Sequence, residues 1–251
     1  MKRIVGIALV LIFTSLTANA QNYVQLSIDF LSDIEAGKNT DAYLPKFKAI
    51  DKEAFLKEVD TDGEKLTFWI NYYNGMIQHI LKKEPGLYKD RGSFFGKEQV
   101  PFAGEMLSFD NMEHGVLRKG VSKLSKGYFE NPFGSDWHEP YEVAETDWRI
   151  HFALNCGAKD CPPIRVYKSE TIYDQLNASA KQYMEAQVQY DASGEEVRVP
   201  ALMSWFSADF GGSDGVMNIL HEYNQVPRGQ NPDIDYKDYD WTLALGTFYK
   251  N

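Results

Sequence analysis

The 251-residue chain carries 26 basic and 36 acidic residues, a formal net charge of −10 at neutral pH. Nucleic acids and anionic membrane surfaces are bound by excess positive charge, so this balance argues against either as a general partner. The length suits one substantial domain with a good core, and no internal repeat or low-complexity linker marks a second.

Met1 to Ala20 has the form of a cleaved export signal. Lys2 and Arg3 precede an apolar run from Ile4 to Leu16, and Ala18-Asn19-Ala20 makes a small-residue cleavage site before Gln21. The apolar run is shorter than the about 20 residues needed to span a bilayer. Both cysteines lie far downstream, at 156 and 161, so neither adjoins the cleavage site to carry a lipid. The mature chain is expected to begin at Gln21, to be periplasmic or extracellular, and to have no stable membrane anchor.

Tyr23 to Glu35 is amphipathic, and Ala42 to Val59 has apolar residues at helical spacing, broken at Asp60 to Gly63. From Glu64 to Lys83, residues Leu66, Trp69, Ile70, Tyr73, Met76, Ile77 and Ile80 form a wide apolar stripe, which predicts the central helix, ended by Lys82, Lys83 and Pro85. Asn71, Asn74 and Gln78 share a second face of it. An amide so near the core must be hydrogen-bonded. Either Asn71 pins a neighbouring loop, such as the one holding Cys156, or it orients a catalytic histidine or a substrate.

Gly92 to Gly104 reads as irregular, and Ser108 to Gly115 opens a short helix in which Asp110 and Glu113 have the spacing of a capping box. His114 has no structural duty visible in the sequence, and Gly115 beside it suggests close approach of another backbone. Lys119 to Trp148 reads as a long connection with His138 at the surface. Trp148 to Leu154 alternates like a strand, with Ile150, Phe152 and Leu154 facing one way and His151 and Ala153 the other, toward Asn155 and Cys156. Ser169 to Gln187 is a helix pattern with Ser169 at its cap, and Val188 to Pro200 a hairpin turning at Ala192 to Gly194. Trp205 to Phe210 and Gly215 to Tyr223 read as short helices, and Tyr236 to Leu245 as a closing strand. Helices gathered around a few non-repeating strands predict a single α+β domain, with helices packed on a small, mainly antiparallel sheet.

Three strings carry a resemblance. FWINYYN at Phe68 to Asn74, EHGVLR at Glu113 to Arg118 and HFALNCGAKDCPPIR at His151 to Arg165 occur in this order, and the region from about Leu66 to Tyr167 resembles the domain-of-unknown-function family 547. That family has no assigned activity, so the resemblance implies a place to look: a polar pocket built by the central helix and the three motifs. Asn74, Glu113, Asn155 and Arg118 are the expected binding residues of that pocket.

Two cysteines five apart in an exported protein are most simply a disulfide, Cys156–Cys161, with Gly157 to Asp160 able to turn tightly between them. The sharper alternative makes Cys156 a thiolate nucleophile with His151 or His114 as base and Asn71 completing the arrangement, Gly157 leaving its backbone amide free for an oxyanion. Such a site would suit a thiol-dependent hydrolase or acyl transferase on a peptide-like substrate. Metal binding by Glu113, His114, His151 and Cys156 is a third option, without any of the usual ligand spacings; no metal or cofactor is expected. The fourth is a non-catalytic module that takes a peptide or glycan in an aromatic-lined groove, the discriminator being whether such a groove passes Cys156 and the two histidines.

Overall fold

The computed structural model describes residues 22–129, 136–191 and 195–250. The expected signal and the Ala192 to Gly194 turn lie outside them. The chain opens with α1 (Tyr23–Glu35), its first turn closed by Asn22 Oδ1 accepting from the Gln25 N–H at 2.7 Å. The helical spacing of Ala42 to Val59 resolves into two helices, α2 (Tyr43–Lys48) and α3 (Lys52–Glu58), separated where Asp51 caps the second. The central helix is α4 (Asp62–Lys83). Its start is a capping box: Glu64 N–H donates to Thr61 Oγ1 at 3.3 Å, and Thr61 N–H donates to Glu64 Oε2 at 3.0 Å.

Around α4 lies the larger of two apolar clusters. Phe68, Trp69, Ile70 and Tyr72 are fully buried there, against Phe30 of α1, Phe47 of α2 and Phe55 of α3. Each aromatic or aliphatic side chain so buried contributes about 1.5–3 kcal/mol. A glycine sets the α1–α4 approach, since a Cβ on Gly75 would lie 2.5 Å from Phe30 Cε1.

Gly92 to Gly104 is more regular than its glycines suggest. Asp90 accepts from the Ser93 N–H at 3.1 Å and opens α5 (Arg91–Gly96). A hairpin follows, β1 (Val100–Phe102) and β2 (Glu105–Leu107), turning through Ala103 and Gly104 at positive φ. Next comes a π-helical stretch, Asn111–Leu117. The expected Asp110–Glu113 box does not form. The reciprocal cap sits two residues earlier, where Ser108 N–H donates to Asn111 Oδ1 at 2.9 Å and Asn111 N–H to Ser108 Oγ at 3.0 Å. That leaves the Asp110 carboxylate to Lys123 and the Glu113 carboxylate to Tyr73. Gly115 is approached by the His138 ring, not by backbone, and His138 is half-buried with its Nδ1 at 2.8 Å from Glu142 Oε1.

The second cluster is built by α6 (Ile172–Gln187), β3 (Gln189–Tyr190), β4 (Glu196–Val199), α7 (Leu202–Trp205), α8 (Gly212–Glu222) and β5 (Asp233–Tyr236). A short 3₁₀ turn, Ser169–Thr171, precedes α6, so Ser169 is not the helix's cap. The first short helix expected in this part comes earlier than read, as α7. β3 and β4 pair antiparallel as the expected hairpin, while β5 returns parallel to β4 after α7 and α8, with Val197 opposite Ile234. The result is an α+β domain with two small sheets, mainly antiparallel.

Two expected strands are absent among the described residues. Trp148–Phe152 is a 3₁₀ turn, because Asp147 Oδ1 accepts from the Arg149 N–H at 3.0 Å and starts a turn where no neighbouring strand competes for the backbone. Residues 237–249 run as an irregular strap. It pairs with the equally irregular 157–164 segment through isolated bridges, Ala158 with Leu243 and Ile164 with Phe248.

Candidate functional site

The 3₁₀ turn Trp148–Phe152 lies where the two apolar clusters meet. Ile150 is buried in the first and Phe152 in the second, and His151 stands at the seam, 3% exposed. The amides of α4 hold the chain that follows. Asn74 Nδ2 donates to Ala153 O at 2.9 Å, and its Oδ1 accepts from the Asn155 N–H at 2.8 Å. Asn155 in turn folds the cysteine loop, its Nδ2 donating to Pro162 O at 2.8 Å and its Oδ1 accepting from the Gly157 N–H at 3.0 Å. Gln78 Nε2 reaches Asn155 Oδ1 at 3.3 Å, and Gln78 Oε1 accepts from the Gly246 N–H in the strap at 2.8 Å.

Asn71 serves another segment. It clamps Tyr167 from both sides, Nδ2 donating to its carbonyl and Oδ1 accepting from its N–H, each at 2.9 Å. Both faces of the amide are used on backbone, so Asn71 pins a loop, though not the cysteine loop. The Gly157 amide, expected free for an oxyanion, is engaged by Asn155.

Cys156 and Cys161 are joined in a disulfide with their Cα atoms 6.2 Å apart. Gly157, at φ +85°, makes the tight turn between them. Cys161 is 4% exposed and Cys156 half-buried. The strap clamps this loop: Lys159 N–H donates to Thr242 O and Ala244 N–H to Gly157 O, both at 2.8 Å.

Four polar side chains interlock across the seam. Arg118, 1% exposed, donates from Nε to Asp209 Oδ2 at 2.6 Å and from Nη2 to Asp209 Oδ1 at 3.0 Å. Its Nη1 donates to His114 Nδ1 at 2.8 Å. Asp209 Oδ2 also accepts from His151 Nε2 at 2.7 Å. A carboxylate has no hydrogen to give, so His151 carries its proton on Nε2 and presents a bare Nδ1 lone pair, which is buried without a partner. The ring lies flat on Phe206, centroids 3.8 Å apart.

Burial raises the Asp209 carboxyl, but hydrogen bonds from His151 and Arg118 outweigh it and hold the group at about 2. Burial first, and then the Arg118 guanidinium, push His114 down to about 3. Burial also pushes His151 down despite its bond to Asp209. At neutral pH the cluster therefore holds one cation and one anion, Arg118 and Asp209, beside two neutral imidazoles.

A cavity of about 410 Å³ opens beside this cluster. His114, His151, Cys156 and Glu113 line it, together with Tyr73 from α4, whose hydroxyl donates to Glu113 Oε2 at 3.1 Å. Much of the remaining wall is aromatic: Phe95, Trp205, Phe206, Tyr239 and Trp241. Trp205 and Trp241 stack with centroids 5.3 Å apart. Of the residues expected from sequence, Cys156, His151, His114 and Glu113 come together, Arg118 stands behind the two histidines, and Asn71, Asn74 and Asn155 hold backbone. Asp209 and the aromatic wall beyond residue 200 were not foreseen. A lone acidic residue 58 positions from its histidine carries no local signal. Among the described residues, no group of three or more His, Cys, Asp or Glu side chains is placed to hold a metal ion.

Comparison with curated proteins and with solved structures finds no match. Residues 56–184 match the family described as protein of unknown function, DUF547, a span that holds all three motifs and the disulfide and covers just over half of the sequence. The chain belongs to that family.

Proposed function

We propose that the protein is an exported binding module that seats a peptide- or glycan-like ligand in the aromatic cavity, with the Cys156–Cys161 disulfide as part of the wall. The observation that carries this reading is that one cavity passes Cys156, His114 and His151 while the two sulfurs are bonded to each other. In that state there is no thiolate to attack a substrate. Aromatic side chains offer flat apolar surface for a sugar face or a peptide side chain, and the Glu113 carboxylate offers an acceptor to orient it.

Tryptophan fluorescence tests the reading, because Trp205 and Trp241 stand in the wall. Titration with chitotriose and with the tripeptide Ala-Phe-Ala should give a saturable change for at least one of them, and Trp205→Ala should abolish it. Flat titrations with both would sink the binding reading.

A second reading is favoured by one observation, the His151 ring held by Asp209 with Nδ1 unpartnered. That is the oriented base of a nucleophilic site. In a thiol-dependent hydrolase or acyl transferase, reduced Cys156 would be the nucleophile, His151 its base and Asp209 the orienting group. Iodoacetamide labelling with and without reductant, in the native protein and in His114→Ala and His151→Ala, separates the two. Rapid labelling of Cys156 that falls in His151→Ala supports the enzyme. Slow labelling that no histidine affects supports the binding module.

A further inference from the structure

The two sulfurs of the disulfide stand in different surroundings. Cys161 Sγ is buried and collects three hydrogen bonds: from the Cys156 N–H at 3.0 Å, the Ala158 N–H at 3.3 Å and the Tyr239 hydroxyl at 3.1 Å. A neutral disulfide sulfur is a weak acceptor and does not call for three donors. A thiolate does, and donors aimed at developing negative charge stabilise it most when they are already in place. Cys156 is half-buried and lines the cavity, and its Sγ has a single neighbour of this kind, the same Tyr239 hydroxyl at 3.4 Å.

Thiol–disulfide exchange goes faster when the departing sulfur is a better-stabilised thiolate, and it needs a clear approach to the other sulfur. Both conditions are met in one direction only. We propose that Cys156–Cys161 is an exchangeable disulfide and that the ligand of the cavity is a peptide-like thiol, which bonds to Cys156 and displaces Cys161. This rests on reading the cavity as the ligand's seat.

The step balances without a further reagent. The ligand enters as its thiolate, having lost its proton to solvent, and its sulfur bonds to Cys156 Sγ. The Sγ–Sγ bond breaks, and its electron pair leaves on Cys161, where the Cys156 and Ala158 amides and the Tyr239 hydroxyl receive it. The adduct is a mixed disulfide. Cys161 is held beside Cys156 in the clamped loop, so its attack on Cys156 reverses the step and releases the ligand unchanged. A second ligand thiolate attacking the adduct instead releases the ligand's own disulfide and leaves both cysteines reduced. The ligand is then the two-electron reductant.

The test uses the mature protein and reduced glutathione as the probe thiol, with acid quenching, alkylation of free thiols and peptide mapping. Glutathione is expected on Cys156, with the alkyl label on Cys161. The reaction should be about tenfold faster than with the oxidised peptide Asn-Cys-Gly-Ala-Lys-Asp-Cys, whose sulfurs lack the Tyr239 hydroxyl and the folded loop. Tyr239→Phe keeps the aromatic wall and removes one donor, and should slow the step about threefold. Glutathione on Cys161, or a rate no greater than that of the free peptide, overturns the proposal. Binding of S-methylglutathione, which cannot exchange, is followed by tryptophan fluorescence in parallel. If it binds while glutathione fails to exchange, the exchange proposal alone falls; if it fails to bind as well, the cavity reading falls with it.

Discussion

Asn71 shows how far a single residue can be read before its surroundings are known. That an amide on the inner side of a central helix must be satisfied follows from elementary energetics, and both of its polar atoms are. Which backbone it would satisfy does not, because Tyr167 is 96 residues away. Asn71→Leu would strand the N–H and the carbonyl of a fully buried residue and should destabilise the protein by about 1–3 kcal/mol, read as a lower urea midpoint. An unmoved midpoint would refute the clamp. Arg118 carries a heavier duty, since the Asp209 carboxylate is 5% exposed and Arg118 is the cation bonded to it. Arg118→Ala leaves that charge buried and should cost about 3–5 kcal/mol, whereas Arg118→Lys, which keeps the charge but not the two-pronged geometry, should lose less. Thermal melts of the two variants give the comparison, and equal losses would show that charge is not what matters there.

At the scale of elements, long apolar periodicity was legible and short elements were not. The stripe over Glu64 to Lys83 predicts α4 to within two residues of its observed start, and the cap that fixes this start is local. Thr61→Ala removes the capping oxygen and should lower stability by about 1 kcal/mol in a thermal melt; a change within error would mean that packing alone sets the helix start. The alternation from Trp148 to Leu154 misled for a physical reason. Alternating burial arises in a strand because one face meets the core, but here Ile150 and Phe152 enter two different cores and the backbone between them turns. Asp147 was the available signal, since an aspartate ahead of a turn competes with strand pairing for the backbone. The same holds for Ser108 and Asn111, whose reciprocal bonds start a helix that the Asp110 and Glu113 spacing also fits.

The whole molecule responds to acid through its buried cluster. In the unfolded chain His114 gains a proton near its ordinary 6.5, and in the fold not until about 3. The unfolded state therefore binds more protons between these values, and stability falls as pH falls through that window. Asp209 adds to the loss lower down: its contribution is complete above 3.8 and disappears as pH drops toward its folded value of about 2. His114→Asn can keep an acceptor for Arg118 without a proton to gain, so its melting temperature should drop less than the native protein's between about pH 7 and pH 4. Parallel drops would clear His114. If Met1 to Ala20 is a cleaved export signal, as its sequence predicts, the intact mass of the protein expressed with its full sequence should correspond to a chain starting at Gln21, and a retained Met1 to Ala20 would contradict it.

The cavity draws its lining from distant parts of the chain: one group includes Tyr73, Glu113, His151 and Cys156, the other is Leu202, Trp205, Phe206, Tyr239 and Trp241, and the two meet where His151 lies on Phe206. The first group lies inside the 56–184 span by which the family is recognised, and the second lies wholly outside it. The family's pattern therefore covers eleven of the sixteen residues that line the cavity and says nothing of the other five. In evolutionary terms, selection can rewrite that second wall while every diagnostic motif stays in place. If the cavity seats a ligand as proposed, two members of equal kinship over the span can have unrelated ligands, and grouping members by the positions of residues 202–241 should sort them by what they bind better than grouping them by the motifs that make them kin.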